Sequence, residues 1–375
     1  MGQRRIMHHL GGADQIRYWP GAGLSHDKAM NMRPAPARHV WIDVLKVLAS
    51  QCIVLHHLSI YGPMPERAAP LAPGLIAWLD VYGRYAVQVF LVIGGFLAAA
   101  SLCSRASAQA LAGESLTGLL RRLAKRYFRL APTLWAAIAL ALLVTALIRF
   151  GLGPEHTPDH TPQWPAVAGV LAQMLMLQDV LDIPALSAGV WYVAIDLQLH
   201  ALLLLMLWLA HKTGLGRMTD LLVFTLTAVS LLVINRDTAW EIWAPYFFGA
   251  YGLGFLAWRA TQETGSRRNL ILVGMAMLVT LALWLDWRDR IALAALVALA
   301  LVVMVPPRSA AGWISRRGAA SYSLFLVHYP VCLAMNALAT FLPPEPVLHA
   351  GLLVLTWILS NLAGQLMYRQ VESRF

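Results

Sequence analysis

Residues 43–57 read Asp43-Val-Leu-Lys46-Val-Leu-Ala-Ser50-Gln-Cys52-Ile53-Val-Leu-His56-His57. They lie within an apolar run from about Val40 to Leu58, the length of a membrane-crossing helix. Yet the run carries an acid, a base and two histidines. Each ionisable group near a bilayer centre costs roughly 2.5–3.5 kcal/mol or more, so such groups face the bundle interior or serve a function. At about 100° of rotation per residue, Asp43, Lys46, Ser50, Ile53 and His57 fall within about 80° of one another, while His56 points elsewhere. Lys46 and His57 then stand about 16 Å apart along one polar stripe. The plain alternative is a satisfied polar face on which Asp43 pairs with Lys46.

The rest of the chain supports a membrane setting. Of its 375 residues, 59% are hydrophobic and only 13% charged, and long apolar runs recur. The expected fold is an all-α polytopic membrane protein. Ten spans are predicted: about Val40–Leu58, Ala77–Leu102, Leu130–Phe150, Val190–Ala210, Leu221–Asn235, Ile242–Trp258, Leu270–Leu285, Ile291–Val305, Ser321–Leu342 and Val347–Tyr368. Residues 1–38 are polar and aperiodic and read as a disordered cytoplasmic tail, 39–370 as the transmembrane domain, and 371–375 as a cytoplasmic end. Within the acidic loop 151–189, Val167–Leu177 is apolar but too short to span, which predicts a re-entrant or interfacial segment. Cys52, Cys103 and Cys332 show neither CxxC nor metal-ligand spacing and read as small core hydrophobes; no metal site is expected.

Charge orients the bundle. With the N-terminus inside, the inner segments receive Arg121, Arg122, Lys125, Arg126, Arg129, Lys212, Arg217, Arg259, Arg267 and Arg268, among others. The outer loops receive few bases. Both termini are therefore expected in the cytoplasm. The net charge of +10 then reflects cytoplasmic loops rather than nucleic-acid binding.

Three further stretches carry polar chemistry. In Arg121-Arg122-Leu-Ala-Lys125-Arg126-Tyr-Phe-Arg129-Leu-Ala-Pro132, five bases fall within about 140° on a helix. That face suits snorkelling to anionic lipid or a clamp for the phosphates of coenzyme A, for which arginine forks are apt. Trp191-Tyr-Val-Ala-Ile-Asp196-Leu-Gln198-Leu-His200 opens a helix at its expected outer end and sets Asp196 and His200 as neighbours at i,i+4. Ser321-Tyr322-Ser323-Leu-Phe-Leu-Val-His328-Tyr329-Pro330 places Tyr322 and His328 in the ninth predicted span.

Together these stretches resemble a family of membrane acyltransferases, the acyltransferase 3 family. Its members open with D-G-L-R-A-I-A-V-x-x-V-V-x-x-H, which puts His57 at the family histidine. Phe90-Leu-Val-Ile-Gly94-Gly95-Phe96-Leu97 resembles F-F-V-I-S-G-F-L. Arg126, Arg129 and Pro132 match R-x-x-R-x-x-P. Trp191 to Gln198 is similar to W-S-L-S-V-E-E-Q, with Asp196 at the first Glu, and Ser321 to Pro330 to S-Y-S-L-Y-L-W-H-W-P. The resemblance covers about residues 40–370. Lys46 replaces the family Arg, Gly94 a Ser and Asp196 a Glu.

The resemblance implies an inner-membrane O-acyltransferase of bacterial glycans or small molecules, with acetyl-CoA as co-substrate and no permanently bound cofactor. His57 would be general base or acyl carrier. Asp43 and Lys46 would belong to the same catalytic set, and Asp196 would orient the acceptor. Arg122, Lys125, Arg126 and Arg129 would hold coenzyme phosphates; Trp191, Tyr322 and His328 would contact substrate. The expected partners are acyl-CoA, a glycan or lipid-linked saccharide, and membrane lipid. A proton-coupled transporter or glycan flippase is the alternative reading, and a non-catalytic lipid-binding scaffold a third. A transporter needs no cytoplasmic arginine clamp.

Overall fold

The computed structural model describes residues 40–304 and 312–375. The expected cytoplasmic tail, residues 1–38, lies outside the described residues. Fifteen α-helices follow in order. The first seven are α1 (Val40–Ile60), α2 (Pro63–Ala68), α3 (Pro73–Tyr82), α4 (Val87–Leu102), α5 (Arg105–Gly113), α6 (Leu116–Gly151) and α7 (Val167–Met174). The rest are α8 (Val190–Lys212), α9 (Thr219–Leu232), α10 (Ala244–Gln262), α11 (Gly265–Leu285), α12 (Asp289–Val303), α13 (Gly312–Ala319), α14 (Ser321–Ala339) and α15 (Pro346–Gln370). The fold is all-helical, with no strand among the described residues.

Each of the ten predicted stretches is largely helical, and among the described residues eight helical segments are long and apolar enough to cross a membrane. These are α1, the continuous α3–α4 stretch, α6, α8, the stretch around α9, α11, α14 and α15. The other two differ for separate reasons. Helix α12 has 15 residues, about 23 Å of rise. Helix α10 has 19 residues, but its glycines, tyrosines and polar last turn hold down its mean hydropathy.

The expected start of the third span, Leu130, also shifts. Helix α6 runs unbroken for 36 residues, about 54 Å, and takes in the whole basic stretch. The side chain of Ser115 caps it by accepting from the Gly118 amide at 3.2 Å. Leucine, arginine and lysine favour the helical state, so charge marks where lipid stops without marking where the helix stops.

Helices α4 and α10 form the tightest crossing. A Cβ added at Gly95 would stand 1.8 Å from the Tyr251 carbonyl oxygen, and one at Gly254 1.9 Å from that of Val92. The two backbones touch where each offers a glycine, the usual means of close helix approach in membranes. Helix α14 is buried along most of its length and packs on α15, α6 and α1. Helix α11, by contrast, exposes Leu270, Val273, Met277 and Trp284.

Helix α7 has only eight residues and does not span. Its last carbonyl, Met174 O, accepts from Tyr127 Oη at 2.8 Å and Trp135 Nε1 at 3.1 Å. Both donors lie on α6, more than four turns before its end. The loop after α6 therefore returns deep along that helix before α8 begins.

Candidate functional site

Helices α1 and α14 bring His57 and His328 together. Their rings are nearly parallel, with centroids 4.8 Å apart and 10° between planes, and His57 Nδ1 lies 2.6 Å from His328 Nε2. His328 Nδ1 lies 3.2 Å from the Leu324 carbonyl oxygen, one turn back on its own helix. A carbonyl only accepts, so His328 Nδ1 carries the proton. Nε2 of the neutral ring is then the acceptor, and His57 Nδ1–H donates to it. His57 Nε2 is left as a bare lone pair with no hydrogen-bond partner among the described residues. Tyr61, just past the end of α1, packs against His57 with ring centroids 5.4 Å apart.

His57 reaches a cavity of about 490 Å³, within the usual range for small-molecule sites. The floor is buried: Ile53, His56, Val87, Gln88, Phe247 and Phe325 surround His57 there. The rim is largely exposed and comes from three places: Arg84 before α4, Thr238 and Glu241 before α10, and Trp287 before α12 with Asp289 at its start. Trp191 and Tyr85 add aromatic surface to the wall. Arg288 is immobilised by donating to Asn235 Oδ1 at 2.8 Å and Leu231 O at 2.9 Å. Arg290 lies over the Tyr246 ring at 5.1 Å.

The structure corrects the reading of His56. It does not leave the site. Its Nδ1 lies 3.0 Å from the Leu79 carbonyl of α3, so that nitrogen donates, and the ring lines the same cavity as His57. Neighbours on a helix diverge by about 100°, but α3 packs over α1 and closes the wedge between them.

A second polar group sits towards the start of α1. Arg126 Nη2 donates to Asp196 Oδ2 at 2.6 Å in a largely buried ion pair joining α6 to α8. Tyr192 and Tyr251 lie within its electrostatic reach. A side chain at Gly94 would start 3.6 Å from Asp196 Oδ1. Tyr322 Oη donates to the Leu130 carbonyl at 3.0 Å beside the same group. Lys46 feels the carboxylates of Asp43 and Glu372 and the guanidiniums of Arg129 and Arg126. No ion pair joins Asp43 to Lys46 among the described residues. Asp43 packs against Gly318 of α13, and its Oδ2 is buried without a partner there.

Asp196, expected at the opposite end of the bundle from the basic stretch, thus lies level with Arg126 within it. The predicted basic face also divides. Arg122 is held by Glu114 at 2.5 Å and Arg126 by Asp196, while Arg121, Lys125 and Arg129 are exposed. Asp196 and His200 share a helix face as predicted, but no hydrogen bond links them among the described residues. Two participants escaped sequence reading. Gln88 had no motif to mark it. Glu372 lies near the chain end, where its carboxylate accepts from Ser323 Oγ at 2.5 Å and the Ser323 amide at 3.2 Å.

The buried pair makes a stability prediction. Asp196→Ala leaves Arg126 charged and unpaired, which is expected to cost about 3–5 kcal/mol. The folded fraction recovered from membranes should fall, and the double change Arg126→Met with Asp196→Leu should restore it. Thermal denaturation of the purified variants reads both effects.

The candidate site is thus a buried histidine pair open to a cavity, with a separate, largely buried Arg126–Asp196 ion pair nearer the start of α1. A family model described as an acyltransferase domain matches residues 39–363. The chain belongs to the acyltransferase 3 family and is a multi-pass membrane acyltransferase. No curated protein and no solved structure matches it.

Proposed function

We propose that the protein is an O-acyltransferase of the bacterial inner membrane. It moves an acetyl group from cytoplasmic acetyl-CoA to a hydroxyl of a cell-envelope or exported glycan. The observation that carries this reading is the lone pair of His57 Nε2 at the floor of the cavity, oriented from behind by His328.

The acceptor hydroxyl lies against His57 Nε2, which takes its proton as the oxygen attacks the thioester carbonyl. The new C–O bond forms, the C–S bond breaks, and the departing thiolate takes the proton back from His57. Neither ring ends charged. The cavity wall supports a saccharide: aromatic faces from Trp191, Tyr85 and Trp287 meet sugar C–H surface, and Arg84, Glu241 and Asp289 offer hydroxyl partners.

The coenzyme belongs at the opposite end of α1. Arg121, Lys125 and Arg129 have exposed side chains there and attract its phosphates. Arg122 and Arg126 would have to share their carboxylate partners to join that clamp, and Lys46 lies beside it. Both termini are placed in the cytoplasm on the charge distribution.

Membrane vesicles with the cytoplasmic face outward test the reading. Labelled acetyl-CoA is expected to bind and to pass its label into the glycan fraction. Absence of both binding and transfer would overturn the proposal in favour of a transporter.

A further inference from the structure

Gln88 is the polar side chain on the cavity floor that the acyl-transfer chemistry above does not use. It lies in the first turn of α4 and is only 7% exposed. Its flanking floor residues are Val87, Ile53, Phe247 and Phe325, all apolar. Its amide carries two donor hydrogens and an accepting oxygen. No partner satisfies them among the described residues, and neither amide atom is among the buried atoms sealed from open space. The amide therefore faces the cavity. Leaving a buried amide unpaired costs about 1–3 kcal/mol, so a side chain kept this way marks a place for a ligand group.

His56 completes the arrangement. Its Nδ1–H is committed to the Leu79 carbonyl, which fixes Nε2 as an acceptor with no partner among the described residues. Its ring centroid stands 5.1 Å from that of His57. The floor thus offers three things: a lone pair on His57, a second lone pair on His56, and an amide that both donates and accepts.

We infer that Gln88 and His56 bind a second hydroxyl of the acceptor beside the one that is acylated, so that the enzyme selects polyols carrying neighbouring hydroxyls over simple alcohols. This rests on the acyl-transfer reading of the same cavity. A hydroxyl is both donor and acceptor, which matches an amide and an imidazole lone pair lining the same cavity. A site built to hydrogen-bond a hydroxyl rejects the analogue lacking it far more strongly than an apolar pocket discriminates by size.

The test uses the full chain in the same vesicles, with trans-1,2-cyclohexanediol and cyclohexanol as small acceptors and labelled acetyl-CoA as donor. The intact protein should acetylate the diol at least about 100-fold more efficiently than the mono-alcohol. Gln88→Leu, which keeps the side chain's bulk, should erase most of that preference. It should raise the KM for the diol tenfold or more while the KM for acetyl-CoA stays within twofold. His56→Phe should move the same ratio in the same direction. Equal use of the two alcohols by the intact protein overturns the inference while leaving acyl transfer standing. So does an unchanged ratio in Gln88→Leu. If the intact protein transfers no label to either alcohol or to glycan, the acyl-transfer reading itself fails and this inference goes with it.

Discussion

His57→Ala is expected to abolish acyl transfer without lowering the amount of folded protein. General-base catalysis by a positioned side chain contributes about 10²–10⁴-fold, and His57 Nε2 is the lone pair placed where the reaction is proposed. Stability should change little. The imidazole packs against Tyr61, His56 and His328 but makes one hydrogen bond, and that bond is to another neutral ring. Loss of the ring leaves His328 Nε2 beside a cavity that admits water. Transfer of label from acetyl-CoA in vesicles, normalised to protein recovered after detergent extraction, reads both quantities. Full activity in the variant would remove His57 from the mechanism. Loss of protein together with activity would make its role structural.

His328→Phe should be almost as damaging, by a different route. His328 is a positioning residue that touches neither donor nor acceptor in the proposed reaction. It accepts from His57 Nδ1–H because its own Nδ1–H is held by Leu324 O. Phenylalanine keeps an aromatic ring, somewhat larger than imidazole, but offers no acceptor. His57 is then free to carry its proton on either nitrogen, and the tautomer with Nε2–H cannot act as base. Fixing a tautomer wrongly in a hydrolase triad costs about 10⁴-fold. Here about 10²-fold or more in kcat is expected, with both KM values within threefold. His328→Gln, which restores an accepting oxygen, should recover part of the rate. Equal losses in the two variants would count against tautomer control.

The sequence made the ingredients of both predictions visible to different degrees. The polar stripe on α1 was legible because a membrane helix states its costs in its own residues: Ser50, Ile53 and His57 are all buried, as rotation about the axis required. The helical stretches were legible for the same reason. The pairing of His57 with His328 was not, since 271 positions separate them and no local pattern links one helix face to the other.

Asp196 shows a different limit. Counting from a membrane face assumes that a helix begins at that face. Helix α8 starts after a loop that has already travelled down α6 to the level of Tyr127 and Trp135, so its second turn meets Arg126 rather than the outer water. The cavity rim was hidden for a similar reason, being assembled from short connections before α4, α10 and α12 that are individually unremarked in sequence.

Helix α10 is enclosed by α4, α8, α9, α11 and α12, and it is less apolar on average than the helices long and apolar enough to cross a membrane. Nearly every position along it is buried; Gly254 meets the Val92 carbonyl of α4, while Gly249 and Gly252 meet Leu231 and Thr227 of α9. The seat of α10 is therefore made by its neighbours, α4 and α9 before it in sequence and α11 and α12 after it, and a bulkier residue at Gly95 or Gly254 is expected to unseat it.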